Sequence, residues 1–308
     1  MISSQDLTDK ILAFCDQYLP QNRKSKIVEF FIQQQIFPYL FDYPGLRSIP
    51  GFNDDLYVKY KIDFAKRRLQ LDKALKDFLY IRNKSNDPLL LIKGIAFEDL
   101  YYPIELKRSF SDIDIFVSSN SSFEYDKRFF DVHTQISDWP LKKYLSYDKA
   151  KLDCQLVQSN IGYYYSLSDR NNFLLMVSHG TKHHWCRLRW ILDLVWYVHK
   201  LAISTEDLST LRQECRQVGL GKSMEVALVF ASKFINEQHP ACDWVNNSVC
   251  GDMHKIANSI IQDLIRKRNQ NFREKTKNIF RSLALKDSNL DSISYLLDRI
   301  YLKIKANT

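Results

Sequence analysis

The fold is decided by the stretch Arg108-Ser109-Phe110-Ser111-Asp112-Ile113-Asp114-Ile115-Phe116-Val117. Branched apolar residues alternate with aspartates in it, which is typical of a half-buried β-strand. Residues i and i+2 of a strand project to one face, so Asp112 and Asp114 are predicted to point the same way. Two adjacent carboxylates repel each other unless a cation lies between them. The stretch therefore predicts a site for Mg²⁺ (or Mn²⁺), an ion that prefers oxygen ligands.

Patterns on either side predict the rest of a small sheet. Leu89 to Ile92 predicts a buried strand, and Ile95 to Tyr102 predicts one or two helical turns after it. Ser122 to Phe130 predicts a short helix, and Lys151 to Val157 alternates like a third strand, which would bring Asp153 beside the Asp112 strand. Asp153 is alternatively an ordinary exposed strand residue. Carboxylates that compete for its position are Asp99, Asp126 and Asp131.

Three carboxylates around two metal ions suit an in-line attack at phosphorus. Asp112, Asp114 and Asp153 are therefore the predicted catalytic and metal-binding residues. Gly94 lies between a strand and a helix start, where backbone N–H groups and the helix dipole favour anions. Ser111 is a predicted hydrogen-bond donor to Asp112. Residues predicted to bind phosphate in this region, besides Gly94, are Lys93, Arg108 and Ser111.

Helical patterns flank this middle region. Asp54 to Arg82 predicts a long amphipathic helix, and Leu188 to His199 is strongly apolar. The predicted division is a helical N-terminal region over 1–84, a sheet-containing region over 85–160 and a helical C-terminal region over 161–308. The predicted fold class is α+β, with a small mixed sheet flanked by largely helical regions.

The order strand, glycine, short helix, loop and Asp-x-Asp strand resembles the nucleotidyltransferase superfamily of the DNA polymerase β type. The chain looks closer to a branch known as the uncharacterised nucleotidyltransferase family, through Ile92-Lys93-Gly94, Arg108 to Asp114 and the segment His179 to Leu194. This resemblance covers about residues 60–200. It implies a palm sheet, a nucleoside triphosphate (NTP) substrate such as ATP, and a divalent metal.

Two positions depart from the family pattern. The superfamily usually has Gly-Ser or Gly-Gly where this chain has Gly94-Ile95. In the branch, the later strand acid is often followed two residues on by histidine, whereas Gln155 follows Asp153 here. Position 155 is therefore assigned no role.

Histidines mark the first part of the C-terminal region. His179 and His183 are four residues apart and would share a face of a continuous helix. Metal binding is one interpretation, but Gly180 is placed to interrupt the helix and no third ligand is evident. Metal binding is therefore the weakest interpretation of this pair.

Two other interpretations of this segment involve its aromatic and basic residues. Trp185 and Trp190 are predicted to pack the helices against the sheet. Alternatively the segment contacts the nucleotide or the acceptor, with Lys182 and Arg187 binding phosphate. Asp193 is predicted to orient His183 or to pair with an arginine.

The bulk composition limits the classes of protein. A net charge of +8 favours acidic partners such as nucleoside triphosphates or RNA. The six cysteines form no C-x-x-C pair, which favours free thiols in a reducing cytosol over a zinc site. Neither a signal-peptide pattern nor an apolar run of membrane-spanning length is present. These features predict a soluble, cytoplasmic protein without a membrane partner.

Three functions are compatible with these patterns. The leading hypothesis is transfer of a nucleoside monophosphate from an NTP to a hydroxyl or phosphate of a small molecule, peptide, protein or RNA. The second is a catalytically degenerate nucleotide- or RNA-binding protein on the same scaffold, which the missing serine after Gly94 favours. The third is a helical scaffold with a purely structural sheet.

Overall fold

A computed structural model of the protein describes residues 2–21, 26–82, 89–119, 125–136, 141–266 and 284–287. Twelve α-helices and one five-stranded mixed sheet occupy these ranges, so the predicted α+β fold is confirmed. Within the same ranges, no helix combines the length and the apolar character needed to cross a membrane.

Three helices precede the sheet: α1 (Ser4–Tyr18), α2 (Ile27–Gln33) and α3 (Asp54–Arg82). Helix α1 begins at a capping box in which the side chains of Ser3 and Asp6 each accept from the other's backbone N–H. Helix α3 has the bounds that its amphipathic pattern predicts, and its buried residues Leu71 and Leu75 pack under the sheet.

The five strands form one sheet in the order β3-β2-β1-β5-β4. Their bounds are β1 Leu90–Ile92, β2 Ile113–Phe116, β3 Phe130–His133, β4 Cys154–Ser159 and β5 Gly162–Leu167. Strand β1 is antiparallel to β2 and parallel to β5, while β2 is parallel to β3. The two strands predicted around Leu90 and Ile115 are therefore confirmed, and they are neighbours.

Two predicted elements are wrong. No helix is found over 125–130, the described part of the helix predicted for 122–130, and Phe130 instead opens strand β3. A helix, Tyr147–Leu152, occupies the start of the predicted third strand, so strand β4 begins only at Cys154. That strand lies on the far edge of the sheet and not beside β2, because β1 and β5 stand between them.

Helices cover both faces of the sheet. The helices that follow β1 are α4 Gly94–Tyr101, α5 Leu141–Tyr144, α6 Tyr147–Leu152, α7 Asp169–Lys182, α8 Leu188–Lys200, α9 Thr205–Gln217, α10 Gly221–Ala231, α11 Pro240–Ser248 and α12 Gly251–Arg266. Alternation in β2 buries Ile113 and Ile115 with α3, whereas Phe116 joins the larger core built on α7 and α8. Asp114 shares the Phe116 face and so points towards α7 and α8.

Gly180 does not interrupt helix α7, which continues to Lys182. A Cβ atom on Gly180 would lie 2.2 Å from Cζ3 of Trp185. The Trp185 side chain is fully buried, and its backbone has a positive φ of 51° that folds the ring back over the helix. Glycine is needed here because the indole occupies the space that any side chain would fill.

Substitution Gly180→Ala is expected to lower the free energy of unfolding by about 2 kcal/mol, the usual cost of overpacking a rigid core. Urea denaturation followed by circular dichroism measures it. Gly251→Ala is the matched control because a Cβ there meets no atom within 4 Å. Equal stability of the two variants would show that the Trp185 ring can move aside.

A half-buried carboxylate also joins helix α4 to strand β5. The Tyr164 hydroxyl donates to Asp99 Oδ2 at 2.7 Å, and burial raises the pKa of the Asp99 carboxyl to about 6 although this hydrogen bond opposes the shift. The folded state therefore keeps a proton that the unfolded chain loses near pH 4. The resulting stability is present below that pH and is lost as the pH rises to 6.

Asp99→Asn removes this titration while keeping an acceptor for Tyr164. The stability of the variant relative to wild type is expected to be greater at pH 7.5 than at pH 4, by about 2 kcal/mol. Chemical denaturation at both pH values measures the difference. A stability difference that is the same at both pH values would contradict the assignment.

Candidate active site

A cleft with an empty volume of about 680 Å³ opens between the sheet and helices α7 and α8. Three aspartates of the sheet side line it, namely Asp112, Asp114 and Asp131. Residues from α7 and α8 line the opposite side, among them His179, Arg189, Trp190 and Asp193. The predicted common orientation of Asp112 and Asp114 is therefore found, and their catalytic roles remain predictions.

Asp114 lies at the centre of the sheet side of the cleft. Its strand neighbours in register are Ile92 on β1 and Asp131 on β3. Its Oδ1 atom accepts from Lys93 Nζ at 2.8 Å and lies 2.9 Å from His133 Nε2. Burial alone would raise the pKa of the Asp114 carboxyl, but Lys93 and His133 outweigh burial and lower the pKa to about 2. The carboxylate is therefore ionised at neutral pH.

Asp112 sits just before β2, at the rim of the cleft. The predicted hydrogen bond is present, since Ser111 Oγ donates to Asp112 Oδ1 at 3.0 Å. The loop that carries both residues is held by Arg67 of α3, which donates to the backbone carbonyls of Ser111 and Arg128. These contacts tie the loop before β2 to the loop before β3.

The third carboxylate of the cleft is Asp131. Strand β3 runs parallel to β2 and places Asp131 in register with Asp114. His133 Nε2 lies 3.3 Å from Asp131 Oδ2, and ligand atoms of Asp114, Asp131 and His133 all lie within 4.8 Å of one another. The Asp131 side chain is 55% exposed, so it is accessible from the cleft. Two carboxylates and an imidazole at this spacing form a donor set for a divalent cation.

Asp153 does not join this group, which corrects the predicted trio. It lies in the turn before β4, on the opposite edge of the sheet from β3. Its Oδ2 atom accepts from Ser168 Oγ at 2.7 Å and from Asn171 Nδ2 at 3.2 Å. Asp153 thus supports the start of helix α7. The prediction failed because the alternating pattern does not reveal which strands pair.

The turn between β1 and α4 places two predicted residues beside the carboxylates. Lys93 has a positive φ of 55°, which is uncommon for a residue with a side chain, and Gly94 follows with a φ of 30°. Helix α4 begins at Gly94, so the N-terminal end of this helix borders the cleft. Strained backbone of this kind clusters at functional sites. Here it accompanies the contact of Lys93 with Asp114.

Arg108 is bound to Asp193 of helix α8 in a buried two-pronged ion pair. Arg108 Nε and Nη2 donate to the two Asp193 oxygens at 2.6 and 2.8 Å, and the Tyr102 hydroxyl donates to Asp193 at 2.7 Å. Burial would lower the pKa of Arg108, but Asp193 outweighs it and raises the pKa above its ordinary value. The predicted pairing of Asp193 with an arginine is confirmed, and Arg108 is held as a structural cation at the cleft wall.

The other two cations predicted to bind phosphate lie elsewhere. Arg187 Nη1 donates to the backbone carbonyl of Gln33, which ties the start of α8 to helix α2. Lys182 is exposed at the end of α7, and neither residue is among those that line the cleft. The helix ends at His183, so the spacing of a continuous helix does not apply across the turn. This shift of phase brings Arg189 to the cleft instead.

The histidines pack against an aromatic residue. Ring centroids of His179 and His183 lie 5.3 and 5.1 Å from that of Trp190, and 4.6 Å from each other. The one group of potential metal ligands among the described residues is that of Asp114, Asp131 and His133. The arrangement therefore agrees with packing by Trp190 and does not add a metal site.

Comparison with known proteins supports the resemblance seen in the sequence. The family model described as uncharacterised nucleotidyltransferase matches residues 118–236, so the predicted resemblance is confirmed. The matched segment contains Asp131 and Arg189, whereas Lys93 and Asp114 precede it. Neither a curated protein nor a solved structure matches the chain.

Asp131 and His133 had a sequence signal that was assigned to the wrong strand. The resemblance described above implies a strand acid followed two residues later by histidine, and Asp131-Val132-His133 has that pattern. The predicted helix over 122–130 left residues 131–133 outside every predicted strand, so their acid-x-His spacing had no strand to belong to. Arg189 carried no comparable signal.

Asp193→Asn is expected to lower the free energy of unfolding by about 3 kcal/mol, because it leaves the buried Arg108 guanidinium without a counter-charge. Asp126→Asn is the control: it breaks an exposed pair with Arg128 and should change stability little. Thermal and urea denaturation measure both. If both variants lost the same stability, burial would not be the reason that the ion pair of Arg108 with Asp193 contributes to the free energy of unfolding.

Proposed function

We propose that the protein transfers a nucleoside monophosphate from an NTP to an acceptor hydroxyl or phosphate, with Mg²⁺ or Mn²⁺ at the aspartates of the cleft. The observation that carries the proposal is the convergence of Asp112, Asp114 and Asp131 in one cleft, with His133 close to the last two. The family match independently favours nucleotidyl transfer. The cleft brings carboxylates and cations together in one concave site, which suits a metal-bound phosphate ligand.

The residues present fit a divalent cation. Asp114 is only 12% exposed yet stays ionised, so it needs a positive partner, and Lys93 supplies one in the structure described here. Asp112 and Asp131 add carboxylate oxygens on the accessible side. Mg²⁺ prefers such oxygens, and Mn²⁺ also tolerates the imidazole of His133. When bound, the metal supplies charge that neutralises the triphosphate and orients its α-phosphate.

The chemistry follows from a single displacement at phosphorus. An acceptor oxygen forms a bond to the α-phosphorus, while the bond from that phosphorus to the oxygen bridging the α- and β-phosphates breaks. Pyrophosphate leaves with the electron pair, and the proton of an acceptor hydroxyl passes to the Asp131 carboxylate. Lys93 lines the same wall of the cleft, where it stays paired with Asp114. Catalysis in this scheme is mainly positioning and electrostatics.

Asp131→Asn and Asp153→Asn separate the two possible third carboxylates. Asp131→Asn is expected to weaken Mn²⁺ binding, measured by calorimetry, at least ~10-fold, since it removes a charged ligand. It should also abolish transfer of label from α-labelled ATP, CTP, GTP or UTP, assayed with cell extract as the source of acceptors. Asp153→Asn should retain both, because Asp153 faces Ser168 and Asn171 on the other edge of the sheet.

Asp114→Asn provides the positive control for loss of label transfer. Circular dichroism shows that each variant is folded before it is assayed. Label transfer that survives in both Asp114→Asn and Asp131→Asn would refute the proposed active site. If only Asp153→Asn lost label transfer, Asp153 and not Asp131 would be the third carboxylate of the active site.

A second candidate is a binding protein in which turnover has been lost. The ion pair between Lys93 and Asp114 favours it, because the carboxylate is already neutralised without a metal. Calorimetric titration with ATP in the presence and absence of Mg²⁺ distinguishes the two. Affinity that does not depend on Mg²⁺ supports the binding protein, whereas Mg²⁺-dependent affinity supports the enzyme.

A further inference from the structure

The helical side of the cleft contains a cation that the reaction scheme does not use. Arg189 is the second residue of helix α8 and lines the cleft together with Trp190. Its Nη1 atom donates to the backbone carbonyl of Ser109, in the loop before Asp112. Arg189 thus reaches across from the helices towards the carboxylate side.

Arg189 has no carboxylate of its own among the described residues. Asp193, the acid that acts on Arg189, already receives two hydrogen bonds from Arg108. Burial, followed by repulsion from Arg108, lowers the pKa of Arg189 to about 10, although Asp193 opposes the shift. Arg189 is still protonated at neutral pH, so an incompletely compensated positive charge is maintained in the wall of the cleft.

Two buried donors of this wall lack partners. Within the described part of the chain, Arg189 Nε and Trp190 Nε1 are both buried and make no hydrogen bond. Buried donors are almost always satisfied, so two adjacent exceptions that belong to cleft-lining residues need an explanation. A small rearrangement on binding an oxygen-rich anion would satisfy them. Phosphate oxygens suit a guanidinium through charge-assisted, two-pronged hydrogen bonds.

We infer that Arg189 binds the terminal phosphates of the nucleoside triphosphate, opposite the metal-binding carboxylates. The inference rests on the proposed function, since it assigns a pyrophosphate subsite within the same cleft. Arg108 is held by Asp193 and Lys93 by Asp114, so Arg189 is the cleft cation best placed to receive the triphosphate tail. Trp190 Nε1 is a second donor beside it.

The test is calorimetric titration with ATP, inorganic pyrophosphate and AMP at constant Mg²⁺. Arg189→Gln is expected to weaken ATP and pyrophosphate binding at least ~10-fold, the usual loss for a charge-assisted contact. AMP lacks the terminal phosphates, so the affinity for AMP should change less than about 3-fold. In free energy, that change is less than half of the change expected for ATP. Arg128→Gln is the matched control, because it removes an exposed arginine whose guanidinium pairs with Asp126.

Several results would overturn the inference. They are an unchanged affinity for ATP and pyrophosphate in Arg189→Gln, an equal loss for ATP and AMP, and a wild-type protein that binds neither ATP nor pyrophosphate. If Arg189→Gln does not fold, Arg189→Lys is measured instead; weaker ATP binding with AMP binding retained supports the inference, and unchanged ATP binding refutes it. A protein that binds ATP through Arg189 but transfers no label would refute the proposed reaction and leave the subsite in place.

Discussion

The cleft depends on keeping one negative charge, that of Asp114, in the middle of a sheet. A carboxylate with 12% exposure loses most of its hydration, and that loss is tolerated only with compensating partners. Lys93, in the turn after β1, and His133, on β3, provide them. The strained backbone at Lys93 is part of this arrangement, because it accompanies the placement of the ammonium group at Asp114. The sheet therefore builds a charged centre before any ligand arrives.

A second buried ion pair determines how the helices meet that centre. Arg108 precedes the Asp112 loop, and Asp193 lies on helix α8, so their contact joins the sheet side to the helical side. Glu98 of helix α4 reinforces the joint by accepting from the backbone N–H of Arg108 and from Arg68 of α3. Such a network fixes geometry more than it adds stability, because desolvation offsets much of the attraction. The consequence is a cleft whose two walls are positioned by shared contacts.

Local sequence pattern predicted those parts of the molecule that depend on near neighbours. The period of apolar residues gave helix α3, and the Asp-x-Asp alternation gave the common face of Asp112 and Asp114. Strand order is different, because it is set by pairing between distant segments that alternation does not encode. Asp153 was misplaced for this reason. Strand β3 was not predicted because it has only four residues, and two of these are polar and exposed or half-buried. So short a segment shows no clear alternation of apolar and polar residues.

The turn between α7 and α8 explains why the basic residues were also misassigned. A continuous helix would place His183 and Arg187 on one face, but the helix stops at His183, and positive φ at Trp185 reverses the chain. The phase of α8 is then fixed by burial of its apolar face, with Leu188 and Ile191 in the core. Arg189 reaches the cleft as a result of that packing. Because one wall comes from the sheet and the other from α8, the complete cleft exists only once the C-terminal helices have packed on the sheet.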